Sequence, residues 1–219
     1  MIARLIESKI RKALDRKKIV TVLGPRQAGK STLAGIVAKA EADRILELNG
    51  DDSDVRTMFE DTDETRIRTL IGNHDFLLVD EAQKIINVGN MLKIIADRIP
   101  DMKVIATGSS SFKLAKAVNE SLTGRKLEFR LYPLSFKEMV GHTNLLEERR
   151  LIAHRMIYGY YPEVVSSPGN EKEILKELID SYLYKDVLEE NSIGRPDRLV
   201  KLLQALAFQI GSTVSPNEL

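Results

Sequence analysis

The sequence predicts an α/β fold: a parallel sheet of about five strands with helices on both faces, followed by an all-helical segment. Three observations carry that prediction. Short apolar runs alternate with amphipathic stretches over the first 130 or so residues, the order expected when crossover helices join parallel strands. The runs IVTVL (19–23) and FLLV (76–79) are nearly unbroken, as in strands covered on both faces. After Tyr132-Pro133 such runs cease and helical spacing takes over.

Each element has its own justification. Ile2, Leu5, Ile6, Ile10, Ala13 and Leu14 recur at spacings of one, three and four, which predicts an amphipathic helix with basic residues opposite. Residues 19–23, between Lys18 and Gly24-Pro25, form the first strand. A helix over 30–40 turns Leu33, Ile36 and Val37 inward, and 44–49 is the second strand. The acidic stretch 51–68 is interrupted by Asp61-Thr62-Asp63, which predicts two short helices. The third strand, 76–79, closes on Asp80-Glu81. A helix near 91–99 stops before Pro100, and the fourth strand, 103–107, ends at Gly108 and three serines. The fifth strand spans 126–131. Helices are then expected over 135–140, 145–158, 171–190 and 197–208. Ser135 and Glu138 are spaced as a capping box, and Pro196 enters the last helix at its first turn.

Composition excludes several functions. The 219 residues contain no cysteine, which removes Cys-ligated zinc, disulfide scaffolds and thiol catalysis. His74, His142 and His154 lack metal-ligand spacing. The 33 basic and 32 acidic residues leave a formal charge of +1, which argues against a whole-chain electrostatic grip on nucleic acid but leaves room for a local patch. No apolar run approaches the roughly 18 residues of a membrane span, and the N-terminus lacks the apolar core of a signal peptide. The expectation is a soluble, cytoplasmic protein with no membrane partner.

The strongest signal is Gly24-Pro25-Arg26-Gln27-Ala28-Gly29-Lys30-Ser31, a full match to G-x-x-x-x-G-K-[ST] between an apolar strand and a helical run. The glycines allow the backbone to turn its N–H groups inward, forming an anion nest at a helix N-terminus. Lys30 reaches the β- and γ-phosphates, the Ser31 hydroxyl coordinates Mg²⁺, and Thr32 is placed for an α-phosphate contact. The fold class is therefore that of a P-loop NTPase with a helical lid.

Binding alone does not hydrolyse. Leu77-Leu78-Val79-Asp80-Glu81 supplies acids at the carboxyl end of a buried strand, where open α/β sheets bind their ligands. Asp80 would hold Mg²⁺ opposite Ser31, and Glu81 would act as base or water positioner. Gln83, two residues on, is a candidate for ordering the water.

GPRQAGKST and LLVDEAQ together resemble the AAA-like ATPases of archaea and bacteria, in the additional-strand group of P-loop NTPases. ATGSSSF after a strand, then LTGRKLEFRLYPLSFKEM, YGYYPEVV and YLYKDVLE, resemble a narrower branch. In that branch the core is followed by a winged-helix segment and a C-terminal nuclease-like domain. The resemblance covers almost the whole chain, with PLSF and YLYKD its narrower markers. It implies ATP as the nucleotide, in keeping with the lack of a guanine-reading N-K-x-D motif. It also implies a γ-phosphate sensor at the end of the fourth strand. Thr107-Gly108-Ser109-Ser110 stand there in place of the Asn of many AAA proteins, and Ser109 is the first choice. Gly124-Arg125, just before the fifth strand, falls where the resemblance suggests an arginine that stabilises transition-state charge. Such an arginine acts in its own subunit or in a neighbour's, the latter implying a homo-oligomer.

Ser215-Pro216-Asn217-Glu218 reads as an N-cap, a first-position proline and first-turn acid. A helix is announced where the sequence stops, which suggests the first part of a helix-turn-helix and a chain continuing past Leu219. The expected domains are an ATPase core over 1–132, a helical lid over 133–195 and the start of a winged-helix module over 196–219. The expected function is Mg²⁺-dependent ATP hydrolysis driving conformational change in attached domains or partners, with DNA or protein engaged through modules beyond Leu219. A low-turnover nucleotide switch or DNA-binding adaptor is one alternative. A P-loop kinase for a small molecule is another, disfavoured by the adjacency of Asp80 and Glu81 and the lack of an Arg-rich lid.

Overall fold

Five strands pair in the order β2-β3-β4-β1-β5, every pair parallel. They are β1 (Ile19–Gly24), β2 (Ile45–Asn49), β3 (Phe76–Asp80), β4 (Lys103–Ser109) and β5 (Lys126–Arg130). This architecture comes from a computed structural model, which describes residues 1–60, 63–109, 122–180 and 196–212.

Alternation along the strands builds two apolar layers. Ile19 and Leu23 of β1, Leu77 and Val79 of β3, and Val104 and Ala106 of β4 face one side. There they meet α3 (Ser53–Thr57), α4 (Glu64–Ile71) and α5 (Val88–Arg98) through Val55, Ile67, Leu92 and Ile95. Val20, Val22, Phe76, Leu78 and Ile105 face the other side, against Ile10 and Leu14 of α1 (Glu7–Leu14) and Leu33 and Val37 of α2 (Lys30–Glu41). Helices thus cover both faces, and the near-continuous apolar runs are strands buried from both directions. The two short helices expected around 51–68 are α3 and α4, the latter capped by Asp63, whose side chain accepts from Arg66 N.

The first helix begins at Glu7, not near Ile2. Tertiary partners explain the difference: Leu5 N donates to Glu138 Oε1 (2.9 Å), and the Arg4 side chain is drawn to the same carboxylate. After β5 come α6 (Phe136–His142), α7 (Leu145–Arg150), α8 (Ile152–Tyr158) and α9 (Pro162–Ser166). The single helix expected over 145–158 is interrupted at Leu151, with φ −85° and ψ −2°. A buried ion pair, Arg155 Nε to Glu148 Oε1 at 3.1 Å, spans that interruption. Residues 1–166 form one compact unit, so α6 to α9 belong with the sheet. Residues 167–219 form a second unit, with α10 (Glu171–Leu178) and α11 (Pro196–Phe208), where proline takes the first helical position. Residues 181–190 of the helix expected over 171–190, and the cap expected at Ser215 to Glu218, lie outside the described residues. Among the described residues no helix is long and apolar enough to cross a membrane.

Ser135 caps α6 in a complete capping box with Glu138. Burial pushes the Glu138 carboxyl up, but the N–H groups of Ser135 and Leu5, the Ser135 hydroxyl and the Arg4 charge outweigh it. Together they hold Glu138 below its ordinary value of 4.5. A depressed carboxyl pKa contributes stability that is present above the ordinary value and lost as pH falls through the folded one. Urea midpoints should therefore fall as pH drops below about 4.5, and less steeply in Glu138→Gln than in the wild type.

Gly24 is required by a close approach. As the chain leaves β5, Leu131 N donates to Leu23 O (2.7 Å), and a Cβ at Gly24 would lie 2.0 Å from the Leu131 carbonyl oxygen. Gly35, inside α2, meets nothing within 4 Å. Gly24→Ala should cost about 1–3 kcal/mol or more in urea denaturation. Gly35→Ala should be neutral or stabilise by about 0.5–1 kcal/mol in the same assay.

Candidate functional site

A parallel sheet places all its strand C-termini on one edge, and the predicted phosphate loop starts there. Between Gly24 and α2 the chain makes a tight turn in which Gln27 (φ 57°) and Gly29 (φ 91°) are left-handed. A left-handed non-glycine costs of order 1–3 kcal/mol, and such strain concentrates at ligand-binding turns. Gly29 is the N-cap of the twelve-residue α2, and no acid occupies that helix's first turn. The first-turn N–H groups have no acceptors within the helix, and the helix dipole favours an anion beside them. Lys30 is only 5% exposed, and its Nζ donates to Pro25 O across the loop (2.9 Å), so the ammonium is held within the turn. Ala28 is buried, Pro25 and Arg26 are half-buried, and Ser31 and Thr32 are exposed. Ser31 and Thr32 open onto a groove of about 580 Å³ that Asp80, Asn49 and Asp52 also line.

The carboxylates arrive from the neighbouring strands. Asp80 ends β3 beside Asn49 of β2, and the Thr107 hydroxyl of β4 donates to its Oδ1. Glu81 has left-handed backbone (φ 47°) and a half-buried side chain, whose Oε2 accepts from Gln83 Nε2 (2.5 Å). Its carbonyl accepts from Lys84 N (2.9 Å) and abuts Gly50, where a Cβ would stand 2.3 Å away. Gly50 N in turn donates to Asp80 O (2.9 Å). Lys84 pairs with Asp51, and that bond foremost holds the Asp51 carboxyl below its ordinary range, with Arg56 and Arg26 adding attraction. The loops after β2 and β3 thus form one interlocked block around Glu81.

The structure brings most, not all, of the predicted residues together. Ser109 is buried at the end of β4, in register with Gly24. Thr107, two residues earlier, is the hydroxyl that touches Asp80, and Ser110 lies outside the described residues. Arg125 is placed elsewhere. It precedes β5, whose Lys126 pairs with Ile19 at the start of β1, on the opposite edge of the sheet. At about 3.3 Å per residue that edge is on the order of 16 Å from Gly24. There Arg125 Nε bonds Asp97 of α5 (2.6 Å), and that bond raises its already high pKa. Within one chain Arg125 therefore does not reach the phosphate loop.

The sequence places Thr107 in the sensor segment but not its contact with Asp80, and it gives no sign of Arg4. Period-two alternation along β4 was the available signal for Thr107, since it shares a sheet face with Ile105 and Ser109. Arg4 had no local signal. Its Nη1 donates to Ala28 O within the phosphate loop (2.8 Å), from a segment that reads only as the start of a helix.

Comparison with known proteins shows the family and the fold. An AAA domain model matches residues 16–140, and a domain of unknown function matches 149–219. An uncharacterized protein of Methanocaldococcus jannaschii is 29% identical over 224 residues, covering 95% of this chain and 50% of its own length. An uncharacterized protein of Haemophilus influenzae is 30% identical over 151 residues, covering 66% of this chain and 37% of its own. The chain thus spans half or less of the curated relatives it matches. The Walker-type ATPase of Pyrococcus abyssi superposes with a TM-score of 0.54 at 16% identity, over 95% of this chain and 80% of that one, a likeness of fold. With a P-loop, an adjoining Asp-Glu pair and an AAA model over more than half its residues, the chain belongs to the AAA domain family.

Proposed function

We propose that this chain binds ATP with Mg²⁺ and hydrolyses it, using the energy to change the conformation of attached domains or partners. The observation that carries this reading is the meeting, on one edge of the sheet, of the 24–31 loop with Asp80 and Glu81. The residues fit a magnesium ion: Ser31 and Asp80 are hard oxygen donors on one groove, and the Thr107 hydroxyl occupies one Asp80 oxygen while leaving the other available. When bound there, Mg²⁺ supplies positive charge against the β- and γ-phosphate oxygens. The loop N–H groups and Lys30 bind the phosphates, and Thr32 is placed for the α-phosphate. Glu81 accepts the proton of the attacking water, with Gln83 fixing the orientation of its carboxylate. Ser109 is proposed as a γ-phosphate sensor beside Gly24, with Thr107 linking that strand to Asp80. Arg125 enters only as a residue offered to the site of a neighbouring copy in a homo-oligomer.

The adenine preference, action in the cytoplasm, a winged-helix and nuclease-like continuation, and a DNA or protein partner engaged through it are extensions of this reading. The AAA family supports the first. The half-length match to the M. jannaschii relative is compatible with a continuation.

Phosphate release from ATP without any acceptor is the test, because a kinase would need one and a switch would turn over negligibly. Lys30→Ala should lose ATP binding. Glu81→Gln should keep it while lowering turnover by about 10²–10⁴-fold, trapping unhydrolysed ATP. Chelation of Mg²⁺ should abolish turnover. Arg125→Ala should lower turnover only at concentrations where the protein assembles. ATP binding with turnover unchanged in Glu81→Gln would contradict the assignment.

A further inference from the structure

One guanidinium gathers three segments that lie far apart in sequence. Arg4 Nε donates to Glu138 Oε1 (3.0 Å), Nη1 to Ala28 O (2.8 Å) and Nη2 to Tyr132 O (2.5 Å). Glu138 is equally engaged. Its Oε1 also accepts from Leu5 N (2.9 Å), and its Oε2 accepts from Ser135 N (2.8 Å) and Ser135 Oγ (2.9 Å). The two side chains are 9% and 7% exposed. Stability is a weak reason for such a pair, because the cost of desolvating two charges often cancels their attraction. Orientation is the stronger reason, since the planar Arg fork fixes the directions of three acceptors at once.

The contact with Ala28 has a direct consequence for the phosphate loop. In a trans peptide the C=O and the following N–H point in opposite directions. Holding the Ala28 carbonyl toward Arg4 therefore turns the Gly29 N–H to the other side of the peptide plane, away from Arg4. Gly29 has no Cβ and sits at φ 91°, so its own backbone offers little resistance to a flip of that peptide. A flipped peptide would present a carbonyl oxygen, not an N–H, to an anion in the loop. On the far side of Arg4, Glu138 lies in the first turn of α6 and closes its capping box. The position of α6 and the orientation of the 28–29 peptide thus meet on one side chain.

We infer that Arg4 is a positioning residue for the nucleotide phosphates and that, through Glu138, it couples the phosphate loop to helix α6. The inference rests on the ATP-binding reading above. ATP binding is measured by equilibrium titration with a fluorescent ATP analogue for wild type, Lys30→Ala, Arg4→Lys, Glu138→Gln and the Arg4→Lys/Glu138→Gln double variant. Titrations run at a temperature where circular dichroism shows each to be folded. Lysine keeps the charge but cannot serve three acceptors in fixed directions. Arg4→Lys should weaken binding about tenfold, as expected for a lost charge-assisted hydrogen bond. Glu138→Gln, nearly isosteric, should weaken it similarly, and the double variant should lose no more than either alone because the pair acts as one unit. A purely structural pair would lower the melting temperature and leave the affinity of the folded protein unchanged. Binding within twofold of wild type in folded Arg4→Lys and Glu138→Gln, or losses that add in the double variant, overturns the inference. If wild type binds no ATP, or Lys30→Ala binds as well as wild type, the nucleotide reading itself fails and the coupling falls with it. Glu138→Gln keeps the test decisive if Arg4→Lys does not fold.

Discussion

The position of β4 between β1 and β3 is the constraint on which the candidate site depends. The phosphate loop and the acidic pair come from residues 24–31 and 80–81, and no local interaction can bring such distant segments together. The parallel ladders do so by pairing Gly24 with Ser109 and Val79 with Ala106. Two loops separated by one strand are thereby set side by side on the edge where all strands end. In open α/β sheets ligands settle at that edge, where helix N-termini and strand-end side chains face the same crevice. A slip of one residue in the β3–β4 ladder would separate Thr107 from Asp80, and one in the β1–β4 ladder would take Gly24 out of register with Ser109.

Close backbone packing around this edge leaves little room for substitution. Gly24 lies against the Leu131 carbonyl, and Gly50 lies against the Glu81 carbonyl. Between them, Gln27 and Glu81 hold left-handed conformations that neither residue type favours. Conformations of this kind persist only where surrounding structure over-determines them. Here the surrounding structure is two apolar layers and an interlocked pair of loops, with Lys84 bound to Asp51 and Gly50 bound to Asp80. The side chains most in need of placement, Glu81 and Asp80, each have a neutral orienting partner, Gln83 and Thr107.

Much of this was legible in the sequence, for physical reasons that also mark where legibility ends. Strands such as FLLV are buried on both faces, and burial on both faces writes an unbroken apolar run. The 24–31 loop was legible because its motif answers to local backbone geometry, with Gly29 left-handed at the start of α2. The start of α1 was not, because Arg4 and Leu5 are held by Glu138, more than 130 residues away. The break at Leu151 was equally hidden, since apolar periodicity continues through it. Arg125 is a different case, since the sequence leaves open whether it serves its own subunit or a neighbour's. A residue just before a parallel strand lies on the edge opposite a residue just after one, and motif order alone does not carry that distinction.

The most direct measurement of the central claim is amide hydrogen exchange, residue by residue, with and without Mg²⁺-ATP. If the 24–32 loop is the phosphate site, ATP should slow exchange of the backbone amides at the start of α2, where the N–H groups have no intrahelical acceptor, along with those beside Asp80 and Glu81. Unchanged exchange in these segments at saturating ATP, or protection confined to another part of the chain, would contradict the account.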